Sequence, residues 1–460
     1  SVTIQSQPMP NILSNRLRSV RFRRLLAVVG VVLAVMVLGE VEVRAVPPAP
    51  IAWSAQPAFS IDSPGIWESE PLSATITAAG LSWEGPAPQA AWVRGRANGA
   101  AWGDWVSLDL SDDHSPDRQT AEGRRSRPAS GPGYLGEVDL VQYRVQDADP
   151  SRLVAEGVET RGRGESLPDK VGRWFGSLSF GADDAGASPN QPTIIPRSAW
   201  GADACLPSEP EEPEYGEHLE LVFVHHTYHA GSGSNNYSEA SVLDLIYSIC
   251  SYHVNTRDWK DIGYNFLIDK FGNIYEGRSG GIEEVVWAAH AEGFNYYSTG
   301  IAFIGDHSSG APTLAAQNAF KALLAWKLDL HHVDPAGSVL IESLGGPVYE
   351  EGEFANLKRI SGHRDAKLTS CPGWACYSLL DGLRSTIDQT GGAKIYGGWP
   401  LPHWVPGFPE TGYEPIDLSL RFTRTTSWQL EVTDSAGQEL FSASGTGDAA
   451  TVVWDGTKDG

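Results

Sequence analysis

Four residues between positions 225 and 371 carry reactive chemistry in a pattern that the rest of the chain lacks: His225, Tyr264, His363 and Cys371. Two imidazoles and one thiolate make a three-ligand set suited to zinc, which leaves a fourth tetrahedral position for water. A site open in that way hydrolyses something rather than bracing a fold. Taken singly, a histidine is most often a hydrogen-bonded structural residue and a cysteine a small buried apolar one. The combination is what points to a metal.

Local elements must bring these groups together. His225 ends the apolar run Leu221-Val222-Phe223-Val224, which reads as a buried strand. Neighbouring side chains of a strand face opposite ways, so only one of His225 and His226 reaches the site, and the pattern leaves that choice open. His363 and Cys371 share one loop, Ser361-Gly362-His363-Arg364-Asp365 leading to Thr369-Ser370-Cys371-Pro372-Gly373, which folds the thiol back toward the imidazole. Val242, Leu245, Ile246, Ile249 and His253 have helical spacing behind Ser238 as N-cap. A second helix follows Pro312-Thr313, with Phe320, Leu323, Leu324 and Leu328 on one face. Leu267-Ile268 and Gly300–Gly305 read as further buried strands, so 194–385 is expected to be an α/β domain with a mixed central sheet and helices on its faces.

On either side the pattern changes. Residues 46–180 alternate with period two between Gly, Pro and Asp turns and are expected to form a β-sandwich-like accessory domain. Ser111–Gly133 reads as a long polar loop within it, and no catalytic cluster is legible there. Residues 181–193 and 386–412 read as linkers, and 413–460 as a partial Ig-like β module. Residues 1–45 look like a secretory signal: five arginines precede the 15-residue apolar run Leu25–Gly39, which is short for a membrane span. The expected location is therefore secreted or wall-associated, with no stable membrane span after cleavage. Without those residues 28 basic and 55 acidic side chains remain, a net charge of −27, which repels phosphate backbones and argues against nucleic acid as a partner.

Five motifs then occur in a characteristic order: Val224-His225-His226-Thr227, Asp261-Ile262-Gly263-Tyr264-Asn265-Phe266, Tyr275-Glu276-Gly277-Arg278, Ala289-His290-Ala291-Glu292-Gly293-Phe294-Asn295, and Gly362-His363-Arg364-Asp365 followed by Thr369-Ser370-Cys371-Pro372-Gly373. Together with Ile195-Pro196-Arg197-Ser198-Ala199-Trp200-Gly201-Ala202 they closely resemble the peptidoglycan recognition protein and type 2 N-acetylmuramoyl-L-alanine amidase family, most of all its secreted multidomain bacterial members. The resemblance selects His225, with His363 and Cys371, as zinc ligands. It implies Tyr264 and Thr369 as catalytic residues donating to an oxyanion, and His290, Asn295 and Arg278 as substrate-binding, with a structural ion pair the rival role for Arg278. The implied reaction is cleavage of the amide between N-acetylmuramic acid and L-alanine in peptidoglycan. No glutamate is clearly placed as general base.

Two departures matter. Family members often hold a cysteine pair close in sequence, whereas Cys205 and Cys250 lie 45 apart; export permits a disulfide between them, tying the pre-strand loop to the first helix. Cys376 is expected as a buried free thiol, with the alternative that it supplies a fourth ligand and closes the site. A rival reading of another class is a recognition protein that binds peptidoglycan without cutting it; a third is a structural zinc site in an adhesion protein.

Overall fold

In the computed structural model of this chain the described residues are 2–5, 54–55, 65–72, 75–110, 114–158, 189–207, 209–228, 235–390, 394–396, 416–433 and 439–454. Apart from Val2–Gln5, the expected export signal lies outside them, as do most of the two expected linkers.

The N-terminal module is built from two four-stranded antiparallel sheets. One contains Ile76–Trp83, Gly133–Val138 and Leu153–Val158, and the other Ile66–Glu68, Ala90–Arg96, Val106–Ser107 and Leu140–Gln146. Alternation in Ala90–Arg96 turns Ala91 and Val93 inward, onto a shared core with Trp67, Leu81, Trp83, Val141, Tyr143 and Leu153. The expected loop of 111–133 carries a short helix, Ala121–Arg125, whose first turn is capped by Thr120 Oγ1 accepting from Gly123 N at 2.9 Å.

The central domain holds a six-stranded sheet, numbered here in chain order: β1 Ile194–Ile195, β2 Leu221–His226, β3 Phe266–Ile268, β4 Ile274–Glu276, β5 Ser298–Phe303 and β6 Ile360–Gly362. Their spatial order is β1-β4-β3-β5-β2-β6, parallel throughout except for the β3–β4 pair. Such strands are covered on both faces, which is why β2 has no polar alternation before its histidines. Helices α2, Leu314–Leu330, and α3, Leu380–Gln389, cover one face, where Val222, Val224, Ile301 and Phe303 meet Phe320, Leu323 and Leu383. On the other face α1, Val242–Ser251, packs on Leu267 and Ala302, and a hairpin of Ser338–Glu342 with Phe354–Lys358 covers Leu221 and Phe223.

Both expected helices form. Ser238 precedes a 3₁₀ turn, Glu239–Ser241, that leads into α1, while Thr313 caps α2 by accepting from Ala316 N at 3.2 Å. Helix α3 runs four residues past the expected boundary at 385. The expected disulfide is present, joining Cys205 beside the Ala202–Ala204 turn to Cys250 in α1. Beyond residue 390, Ile416–Thr433 and Glu439–Trp454 form a long antiparallel ladder flanked by Val2–Gln5 and Ile395–Tyr396; among the described residues this is one sheet, and an Ig-like sandwich is not seen.

Candidate metal centre

Strand parity decides between the two histidines of β2. Counting from Leu221 and Phe223, His225 faces the side of α1 and the hairpin, whereas His226 shares the α2 face with Val222 and Val224. His226 is accordingly a structural residue: its Nδ1 accepts from His307 N at 3.1 Å. Its backbone N–H donates to Cys371 Sγ at 3.4 Å, so the second histidine still positions the thiol.

His225 Nδ1 lies 3.7 Å from Cys371 Sγ, and its ring is 4.5 Å from that of His363. His363 opens a 3₁₀ turn at the end of β6, with Asp365 Oδ2 accepting from Gly362 N at 2.9 Å. Thr369 Oγ1 accepts from Cys371 N at 3.0 Å and so holds the loop that carries the thiol. Tyr264, at the edge of β3, stands with its ring 5.5 Å from His225. Burial first, and then the Cys371 thiol, hold the Tyr264 hydroxyl protonated well above the ordinary tyrosine range. A buried phenol of that kind remains a hydrogen-bond donor.

The three residues are joined by a fourth. His114, from the N-terminal module, places Nε2 3.2 Å from His225 Nδ1 and 3.8 Å from Cys371 Sγ. The donor atoms of His114, His225, His363 and Cys371 all lie within 4.8 Å of one another. The expected set of His225, His363 and Cys371 is thus brought together, and His114, from the module expected to be accessory, lies among them. Nothing in the local pattern around His114 distinguishes it, because its partners lie over a hundred residues away. Cys376 is not the closing group: it sits in the apolar core under α2 and α3, where burial pushes its thiol up to about 12.

The donor set fits a zinc ion. Three imidazoles and a thiol match its nitrogen and sulfur preference. Burial, and next the neighbouring His363, hold His114 and His225 well below the ordinary histidine range, in the neutral form that ligates. With Nδ1 turned to the cluster, His225 Nε2 shares a hydrogen bond with His290 Nδ1 at 3.2 Å, the kind of outer contact that fixes a ligand ring. His290 is thus fully buried behind His225 rather than on an open wall, and it fits there because residue 300 is glycine: a Cβ would come within 2.3 Å of its ring.

Asn295 and Arg278 are also engaged. Asn295 Oδ1 accepts from His290 N and Ala291 N, each at 2.8 Å, while its Nδ2 donates to Ser115 O at 3.0 Å and Asp117 Oδ1 at 3.1 Å. Arg278 forms a buried ion pair with Glu122. Asp117 accepts further from Gly293 N at 2.5 Å and Trp287 Nε1 at 2.6 Å; burial outweighs these donors and pushes its carboxyl up to about 7.

The N-acetylmuramoyl-L-alanine amidase family profile matches residues 215–374, and a profile described as Rv3811 N-terminal galactose-binding domain-like matches 73–168. Peptidoglycan-recognition protein SC2 of Drosophila melanogaster is 30% identical over 181 residues, 39% of this chain and 80% of that protein. An N-acetylmuramoyl-L-alanine amidase of Mus musculus is 30% identical over 192 residues, which is 41% of this chain but 30% of that protein. Among solved structures, Drosophila PGRP-LB is 28% identical with a TM-score of 0.31, covering 40% of this chain and 91% of that one. The chain therefore belongs to the family of peptidoglycan recognition proteins and N-acetylmuramoyl-L-alanine amidases.

Proposed function

We propose that this chain is a secreted, zinc-dependent N-acetylmuramoyl-L-alanine amidase that separates peptidoglycan glycan strands from their stem peptides. The observation that carries the reading is the convergence of His225, His363 and Cys371 with Tyr264 beside them. A relative's structure holds tracheal cytotoxin, described as monomeric diaminopimelic acid-type peptidoglycan, which supports muramyl peptides as the substrate class.

His225, His363 and Cys371 would hold the metal. Bound there, zinc polarises a carbonyl and lowers the pKa of water enough to yield a nucleophile near neutral pH. The chain's own residues do the rest. Tyr264, kept protonated by burial, donates to the oxygen on which negative charge develops, an interaction that accelerates the reaction only if it strengthens in the transition state. Thr369 uses its hydroxyl to hold the Cys371 N–H, which supports a positioning role more directly than donation to substrate. His290 orients His225.

Binding without cleavage is the second reading, and His114 favours it, since a fourth protein ligand leaves no place for water. The test is incubation of the zinc-loaded full chain with peptidoglycan, with and without chelator, counting newly released L-alanine amino termini. Metal-dependent release that disappears in Cys371→Ala supports the amidase. If neither the full chain nor a His114→Ala variant releases any, the amidase reading fails.

A further inference from the structure

The segment that delivers His114 leaves the two sheets of its own module between Val106–Ser107 and Gly133–Val138 and lies against the central domain. Its polar side chains are spent there. Besides its contact with the metal ligands, His114 is fixed through its carbonyl, which accepts from Arg257 Nη1 at 3.1 Å. The Ser115 carbonyl and the Asp117 carboxylate take up Asn295, Gly293 N and Trp287 Nε1. Arg118 pairs with Glu292 at 2.5 Å, and Glu122 pairs with Arg278 while also accepting from Lys260 N at 2.9 Å. Further along, Trp259 Nε1 donates to Ser126 Oγ at 2.8 Å and Arg257 Nη2 to Ala129 O at 2.6 Å. Asp117 and Glu122 are almost wholly buried, and each meets donors from the central domain.

Ordinary packing between two modules does not require an imidazole among three metal ligands, nor buried carboxylates against the polar groups that flank them. We propose that residues 114–122 form an intramolecular plug, in which His114 supplies a fourth ligand to the metal while Asp117 and Glu122 occupy the polar groups of the adjoining groove. The proposal rests on the amidase reading for the identity of the groove's ligand, but not for the metal contact. With the plug docked, no position remains for water and none for a muramyl peptide. The chain binds substrate only in the fraction of molecules whose segment has lifted, and its apparent affinity falls by that fraction.

The test uses the full chain loaded with Co2+ in place of zinc. In the wild type, added azide is expected to leave the visible cobalt bands unchanged, because four protein groups fill the coordination sphere. In His114→Ala, and in the size-conserving His114→Gln, azide is expected to shift them. Separately, calorimetry of the zinc-loaded chain with muramyl dipeptide, done in a Tyr264→Phe background so that bound peptide is not cut, is expected to give binding at least about tenfold tighter when Asp117→Ala and Glu122→Gln are added, as an open fraction of one tenth or less requires. Wild-type cobalt bands that respond to azide overturn the fourth ligand, whether or not any variant folds. An unchanged peptide affinity in a folded double variant overturns the plug. Neither readout needs turnover, so a chain that cuts no peptidoglycan would lose the amidase reading while the plug is still decided.

Discussion

Tyr264 is held where its hydroxyl keeps its proton and so remains able to donate: it is buried, its ring lies 5.4 Å from His114 and 5.5 Å from His225, and burial raises its pKa. Removing that one oxygen tests its role with little change in packing. Tyr264→Phe is expected to lower kcat by about 100-fold, the scale of a lost oxyanion donor, with zinc content unchanged. Steady-state kinetics beside metal analysis checks both halves; an unchanged kcat would remove Tyr264 from the chemistry. At this scale the central motifs were legible because each candidate ligand sits in a short pattern, and strand parity agrees with the choice of His225 over His226. His114 was not legible. It stands in a polar stretch with no periodicity, and its meaning comes from contacts 111 residues away in the chain.

At the level of elements, β2 and α2 were readable because their apolar runs and caps are local properties. The hairpin of Ser338–Glu342 and Phe354–Lys358 was not: its burial alternates, but the exposed positions include the apolar Leu340 and Phe354, which hides the alternation in the sequence. Helix α3 places only Leu380, Leu383 and Ile387 inward as apolar contacts, too sparse to stand out after a Pro- and Gly-containing loop. One residue of α2 reaches beyond its own face. Lys327 is buried and its Nζ donates to the carbonyls of Ile282, Glu283 and Glu284, each at 2.8 Å, tying the helix to the loop after β4. Lys327→Met retains the length and loses all three bonds, which is expected to cost about 3 kcal/mol in urea unfolding. A loss below about 0.5 kcal/mol would mean that the loop is held by other contacts.

For the whole molecule, composition and turn chemistry indicated separate modules, but nothing in them indicated that two modules would share one site. Linker-like segments suggest independence, and the contacts that contradict it are side chains of single residues: His114, Asp117 and Glu122 on one side, His225, Asn295 and Arg278 on the other. The N-terminal module thus contributes to the centre rather than merely accompanying it. Among the described residues no helix is long and apolar enough to cross a membrane.

Because the four donor atoms come from two folding units, an ion bound to all of them is also a mechanical fastener. It would close a loop of 111 residues between His114 and His225, and a cross-link of that span restricts the unfolded chain by about 5 kcal/mol on the chain-entropy estimate. In the folded chain the same ion would join the two modules directly, alongside the contacts of Asp117 and Glu122, and stripping it is expected to loosen that joint. Small-angle scattering is expected to show a larger radius of gyration after chelation, reversed by adding zinc. His114→Ala should already have the larger dimensions with metal present. Equal radii in all three states would show that the modules hold together without the ion.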